Sequence, residues 1–159
     1  MGLDMYLYAK KCVSNYDFSP KDEKEKYKLL LSVFNLNAKD IQLDGNSLNI
    51  EINVAYWRKA NQIHNWFVDN VQNGIDNCQS SYVTREQLKE LVCQCKAVLK
   101  GKSKSKAKNI LPSTTGLFFG STDYDEYYFE DLKYTIKQIN YILNNPKFDD
   151  WDFYYQASW

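Results

Sequence analysis

The stretch that most constrains this chain runs from Leu111 to Leu132: Leu-Pro-Ser-Thr-Thr-Gly-Leu-Phe-Phe-Gly-Ser-Thr-Asp-Tyr-Asp-Glu-Tyr-Tyr-Phe-Glu-Asp-Leu. Pro112 fixes its own backbone angle, and Gly116 and Gly120 allow bends that other residues resist. Between the glycines lies a short apolar run, Leu117 to Phe119. Ser121 to Asp123 then reads as the start of a long helix, with acidic residues where the helix dipole favours them. A turn, an apolar insertion and a helix start within some twenty residues demand a packed partner. No reaction motif is present in the stretch.

The rest of the 159-residue chain supplies that partner. Its length suits one domain, 1–159, with a proper core. Aromatics make up 16% of it, with 13 Tyr, 8 Phe and 4 Trp. Each ring buries roughly 150–250 Å², so rings should dominate the core and any surplus should line a pocket or an interface.

Period-two alternation predicts a strand over Leu3–Ala9, with Leu3, Met5 and Leu7 on one face and Asp4, Tyr6 and Tyr8 on the other. Asp4 either anchors a hydrogen-bond network or faces solvent on an edge strand. Ser19 as N-cap and Pro20 in the first turn open a helix whose core residues are Tyr27, Leu30, Leu31 and Phe34. Ile41–Leu43 and Leu48–Val54, joined by Asp44-Gly45-Asn46-Ser47, predict a hairpin. Leu48, Ile50, Ile52 and Val54 share its apolar face.

A helix is predicted from Tyr56 to Val71, with Tyr56, Ala60, Ile63, Phe67 and Val71 as its core stripe. Trp57, Asn61, His64 and Val68 lie on an adjacent face, and Gly74 ends the element. Thr84 and Gln87 form a capping-box pattern. It precedes an amphipathic helix through Leu88, Leu91, Val92, Cys95, Val98 and Leu99. Residues 100–109, alternating lysine with small residues, read as a mobile basic loop. Phe129, Leu132, Ile136, Ile139 and Leu143 predict the longest helix, stopped by Asn144-Asn145-Pro146. The tail Trp151–Trp159 alternates as a strand. The order gives an α+β domain, a mostly antiparallel sheet with about four helices packed on it.

Charge and cysteines narrow the function classes. The net charge is zero, but residues 1–108 hold 17 basic and 12 acidic residues and residues 109–159 hold 3 and 8. Either the halves pack together or two chains pair head to tail, as a homo-oligomer. A zero total argues against duplex DNA as partner. Cys12, Cys78, Cys93 and Cys95 show neither metal-type pairing nor a disulfide framework. The N-terminus has no signal-peptide pattern, Tyr6 spoils a myristoylation motif, and no apolar run spans a bilayer. The expectation is a reduced cytoplasmic protein with no membrane partner and no cofactor.

Five chemistries compete for the polar residues. A metal site would draw on His64, Cys78, Cys93 and Cys95, but one histidine and no short ligand pair argue against it. A Cys78–His64 nucleophile lacks a marked orienting group. Asp123, Asp125, Glu126, Glu130 and Asp131 suit acid–base or Mg²⁺ chemistry, or simply a helix start. Gly120-Ser121-Thr122 offers N–H groups to an anion, opposed by the nearby carboxylates. Finally, Trp57, Tyr124, Tyr127 and Tyr128 can stack a base, with Arg58 and Lys59 supplying charge.

The segments Gly2-Leu3-Asp4-Met5-Tyr6-Leu7, Tyr56–Phe67, Gly116–Glu126 and Phe153–Trp159 resemble a group of small bacteriophage and prophage proteins. The likeness spans most of the chain. That group has no settled activity, so the resemblance assigns no residue a role. It implies a phage accessory in the host cytoplasm, where such proteins counter defences by blocking a protein or capturing a nucleotide signal.

The leading expectation is a non-catalytic protein that captures a nucleotide-like or other small anionic ligand. Its binding residues are expected to be Trp57, Arg58, Lys59, Asn61, His64, Gly120, Asp123, Tyr124 and Tyr127. No catalytic or metal-ligating residue is expected. The alternatives are a protein-binding inhibitor of a host factor and a small metal-dependent hydrolase using Asp123, Asp125 and Glu126.

Overall fold

Alternation and capping residues place most elements of the fold. A computed structural model describes residues 2–36, 46–101 and 103–159. The elements are β1 (Asp4–Ser14), α1 (Lys21–Val33), β2 (Ser47–Arg58), α2 (Asn61–Asn70), β3 (Ser81–Val83), α3 (Arg85–Gly101), α4 (Lys104–Ile110), α5 (Glu126–Leu143) and β4 (Asp152–Ser158). A 3-10 turn, Pro146–Phe148, precedes β4. The strands form one antiparallel sheet in the order β2-β1-β4-β3, and the class is α+β.

The chain divides into two compact units, one of Met1–Ala9 with Ile52–Trp159, the other of Lys10–Glu51. In the larger unit Leu3, Met5, Leu7 and Ala9 are wholly buried, the face that alternation assigns inward. Phe153, Tyr155 and Ala157 of β4 join them, so the predicted tail strand is present. Asp4 does not lie on an edge strand, because β1 is interior, and its carboxylate accepts the Tyr56 hydroxyl.

The helices of this unit close over that apolar face. α3 buries Leu88, Leu91, Val92, Cys95 and Val98, as its stripe requires. Its capping box is closed: Gln87 N–H donates to Thr84 Oγ1 at 3.1 Å, and Thr84 N–H donates to Gln87 Oε1 at 2.9 Å. α5 buries Tyr128, Leu132, Thr135, Ile139 and Ile142 and ends before Asn144-Asn145-Pro146.

Several expectations for the larger unit are corrected. The stretch from Tyr56 is strand up to Arg58, because Ala55 and Trp57 alternate inward while Tyr56 and Arg58 stay exposed. The helix begins only at Asn61, after Lys59 adopts a left-handed backbone, φ 61°. Residues 104–110 are helix α4 rather than loop, because Ala107 is buried and Ile110 packs on the core. Ser81–Val83, for which no element is predicted, is a strand paired with β4, Val83 opposite Phe153. The final helix starts at Glu126, not Ser121, because Asp125 caps it by accepting Tyr128 N–H at 3.0 Å.

In the smaller unit Val13, Tyr27 and Leu31 form the core, with Leu30, Leu48 and Ile50 packed at its edge. Phe34 is exposed, contrary to the helical spacing, because α1 ends at Val33. Ser19 is not the N-cap. Its hydroxyl takes Tyr16 N–H at 3.1 Å and meets Ser14 Oγ at 2.6 Å, and Pro20 occupies the cap position. Of the predicted hairpin, residues 37–45 lie outside the described residues. Ile52 is exposed in β2, so the apolar face expected of Leu48 to Val54 does not run unbroken.

Candidate functional site

The Leu111–Leu132 stretch is held down chiefly by one side chain, Asn61. Its amide nitrogen donates to Phe119 O at 3.2 Å and Ser121 O at 2.8 Å, and its Oδ1 accepts Thr114 N–H at 3.1 Å. Asn61 is 1% exposed. A buried amide so fully used is a fastener for both limbs of the loop. Gly120 sits at φ +91°, and a Cβ there would lie 3.0 Å from Lys59 Cβ. Both its angle and its closeness to Lys59 require glycine.

The tyrosines divide the same way. Tyr124 accepts Ser113 N–H at 3.2 Å, and Tyr128 donates to Leu111 O at 2.8 Å. Their rings meet edge to face at 5.0 Å. Burial pushes the Tyr128 hydroxyl well above the usual phenol range, so it stays a donor. Tyr127, between them, is 81% exposed.

Two clefts flank this loop. The first, about 280 Å³, is lined by Arg58, Lys59, Gln62, Gly120, Ser121, Asp123, Asp125, Tyr127, Tyr128 and Asp131. Arg58 and Lys59 are exposed, and among the described residues neither side chain has a hydrogen-bond or ion-pair partner. Facing the cleft, Asp131 accepts Gln62 Nε2 at 3.1 Å. Burial raises the Asp131 carboxyl to about 6; the Gln62 bond opposes that shift and the neighbouring Asp125 adds to it. Asp123 accepts the Ser121 hydroxyl at 3.1 Å.

The second cleft, about 350 Å³, is lined by His64, Asn65, Val68, Asp76, Thr114, Thr115, Gly116, Leu117, Phe119 and Trp159. His64 is 1% exposed. Its Nδ1 meets Tyr155 OH at 2.7 Å and its Nε2 meets Asp76 Oδ2 at 2.9 Å. Trp159 Nε1 donates to Asp76 Oδ1 at 3.1 Å. Every polar atom of the imidazole is thereby used, which is the pattern of a structural histidine tying α2 to β4 and the C-terminal tryptophan. A larger hollow of about 670 Å³ lies at the C-terminal part of α5, lined by Lys137, Gln138, Asn140, Tyr141, Asn144, Asn145 and Pro146. It has one charged group and no convergence of titratable side chains, so size alone does not mark it as the site.

Of the residues expected to bind, Arg58, Lys59, Gly120, Asp123 and Tyr127 come together in the first cleft. Trp57 does not. It is on β2, buried, and its indole N–H donates to Thr135 Oγ1 at 2.8 Å. His64 faces the second cleft, and Asn61 and Tyr124 are taken up in bracing the loop. The segments near Arg58 and Asp123 therefore do meet, but Trp57 and His64 are not the walls. Gln62 was missed, and Asp131 stood only among the acidic cluster. Their pairing depends on how α2 lies on α5, for which one sequence carries no signal.

The His64 ring nitrogens are taken by Tyr155 and Asp76, which leaves neither to act as a base toward Cys78. Burial pushes the Cys95 thiol up to about 12, as expected of a core residue. Among the described residues no three His, Cys, Asp or Glu side chains converge to hold a metal ion, and no helix is long and apolar enough to cross a membrane. Comparison of the chain with protein-family models, with curated proteins and with solved structures finds no match.

Proposed function

We propose that this is a binding protein whose first cleft captures a small nucleotide-like or anionic ligand. The observation that carries the reading is the pair Arg58 and Lys59, two cations without partners among the described residues, on the rim of a cleft that also presents the exposed ring of Tyr127. Unpaired charges and a bare aromatic ring gain nothing for folding there. They suit a ligand with a π face and acceptor atoms. The role fits a phage accessory that takes up a nucleotide signal of its host, as the sequence resemblance implies.

A thermal-shift series with mononucleotides tests this. A ligand at 100 times its Kd adds about 2.7 kcal/mol of stability. A rise in melting temperature that disappears in Arg58→Ala/Lys59→Ala supports the reading. A flat response across mononucleotides counts against it.

A second reading, a protein-binding inhibitor, is favoured by a different feature. Tyr6, Tyr8, Tyr56, Tyr82 and Tyr154 alternate with core residues and so share the opposite face of the sheet. Tyr6 stacks on Tyr8 at 5.7 Å, and Tyr82 meets Tyr154 edge-on at 5.6 Å. Tyrosine-rich surfaces give large, rigid contact area for protein partners. The variant Tyr56→Ser/Tyr82→Ser should abolish capture of such a partner and leave mononucleotide binding intact. The hydrolase alternative draws no such support, since Glu126 does not line the cleft and Asp125 is engaged as a helix cap.

A further inference from the structure

The cleft around Arg58 carries charges of both signs, and that polarity narrows the ligand. We propose that it takes a guanine mononucleotide, the base meeting Arg58 and Lys59 along one edge and Asp131 along another, with Tyr127 against its face. This assignment rests on the ligand-binding reading above and sharpens it.

Size comes first. About 280 Å³ lies at the small end of ligand sites, which run roughly from 300 to 1,000 Å³. A base with its sugar suits that volume better than a dinucleotide. Charge comes second. A bare phosphate inside the cleft would meet Asp123, Asp125 and Asp131 as well as the two cations. The better-matched group is neutral, offering acceptors to Arg58 and Lys59 and donors to a carboxylate.

Guanine has that pattern. Its O6 and N7 form an adjacent acceptor pair, which arginine and lysine bind well. Its N1–H and N2–H₂ form an adjacent donor pair, matched to the two oxygens of a carboxylate. Adenine sets its amino donor between acceptors. Cytosine presents one donor beside an acceptor, and uracil a single N–H between two carbonyls. None of these offers two adjacent donors.

Asp131 is built to receive such an edge. Its Oδ2 accepts Gln62 Nε2 at 3.1 Å, and Gln62 is 3% exposed, so the carboxylate has a fixed orientation. Among the described residues its Oδ1 accepts no hydrogen bond. The groups facing it are Gln62 from α2, Asp125 at the N-cap of α5, Tyr128 from α5, and the Arg58, Lys59 and Asp123 side chains lining the same cleft. With the carboxyl titrating at about 6, it is an acceptor at pH 7.5 and becomes a neutral acid on further acidification. The neutral acid cannot accept both guanine donors. Tyr127 supplies a stacking surface, worth roughly 1–3 kcal/mol per base.

Isothermal titration of the full chain with GMP, IMP, AMP, CMP and UMP tests the assignment. IMP matters most, since it lacks only the N2 amino group. At pH 7.5 GMP should bind at least about tenfold tighter than IMP or AMP, the scale of one lost donor to a charged acceptor. Lowering the pH to 5.0 should weaken GMP about tenfold, following the ionised fraction of a carboxyl near 6, with AMP little changed. Asp131→Asn should erase the preference, bringing GMP and IMP within about twofold, without lowering the melting temperature. AMP, CMP or IMP binding as tightly as GMP overturns the guanine assignment and leaves the ligand-binding reading standing. Binding by none of the five overturns both.

Discussion

His64 and Asp131 sit near opposite sides of one loop, and each faces a cleft of similar size, yet they differ in how their neighbours treat them. His64 is sealed: both ring nitrogens are bonded, its edge meets Phe119 at 5.1 Å, and its partner Tyr155 stacks on Phe67 at 3.9 Å. Among the described residues Asp131 is bonded on one oxygen only and shares its cleft with two cations that have no partner there, and its carboxyl is raised. A polar group whose capacity is filled by its own chain contributes to folding. One left part-filled beside exposed charge is a candidate for binding. By this criterion the one histidine, which the sequence offers first, is structural, and Arg58, Lys59 and Asp131 mark the site we propose.

The sharpest way to break that contrast is to cut the fastener between the two sides. Asn61→Ala removes three hydrogen bonds and strands buried carbonyl groups, so about 3 kcal/mol of stability should go. Chemical denaturation measures it. A loss below about 1 kcal/mol would mean that the loop is held by its rings alone.

His64→Ala comes next, at about 2–3 kcal/mol, because it leaves the Tyr155 hydroxyl without a partner and opens a void. Ligand binding by the surviving folded fraction should be unchanged. A binding defect at constant stability would move the site to the second cleft.

Gly120→Ala should cost about 1–2 kcal/mol through its positive φ and the contact with Lys59. It should also weaken ligand binding by displacing that lysine.

Smaller still, and of opposite sign, is Asp131→Asn. The folded-state carboxyl titrates at about 6, above its ordinary value of 3.8. The folded form therefore holds a proton more tightly than the unfolded form. That contribution to stability is full below about pH 3.8 and is lost as pH rises through about 6. Replacing the charge should stabilise the protein by about 1 kcal/mol at pH 7.5, after discounting for the solvent that still reaches it. It should also flatten the decline in stability between pH 4 and 6. Melting curves against pH measure both.

These contrasts also show what a single sequence can carry. Leu3, Met5 and Leu7 were legible because an interior strand with one covered face must alternate. Thr84 and Gln87 were legible because a capping box is a local device. Trp57 was misplaced because Trp57, Asn61 and His64 are spaced for a helix face while Ala55 and Trp57 also fit a strand; the left-handed turn at Lys59 decided it, and lysine gives no warning of that conformation. Ala107 is one small residue among lysines, yet its burial turns an expected loop into helix. Arg58, Lys59, Gly120, Asp123 and Tyr127 were legible as site candidates through their chemistry. Gln62 was not, because its pairing with Asp131 joins residues 69 apart in the chain.

The most direct test follows backbone amides in ¹H–¹⁵N spectra while a mononucleotide is added at pH 7.5. Shifts are expected at Arg58 to Gln62 and at Gly120 to Asp131, with the amides of Asp76, Thr115, Gly116 and Trp159 still. Shifts centred on those last four residues, or none at saturating ligand, would contradict it.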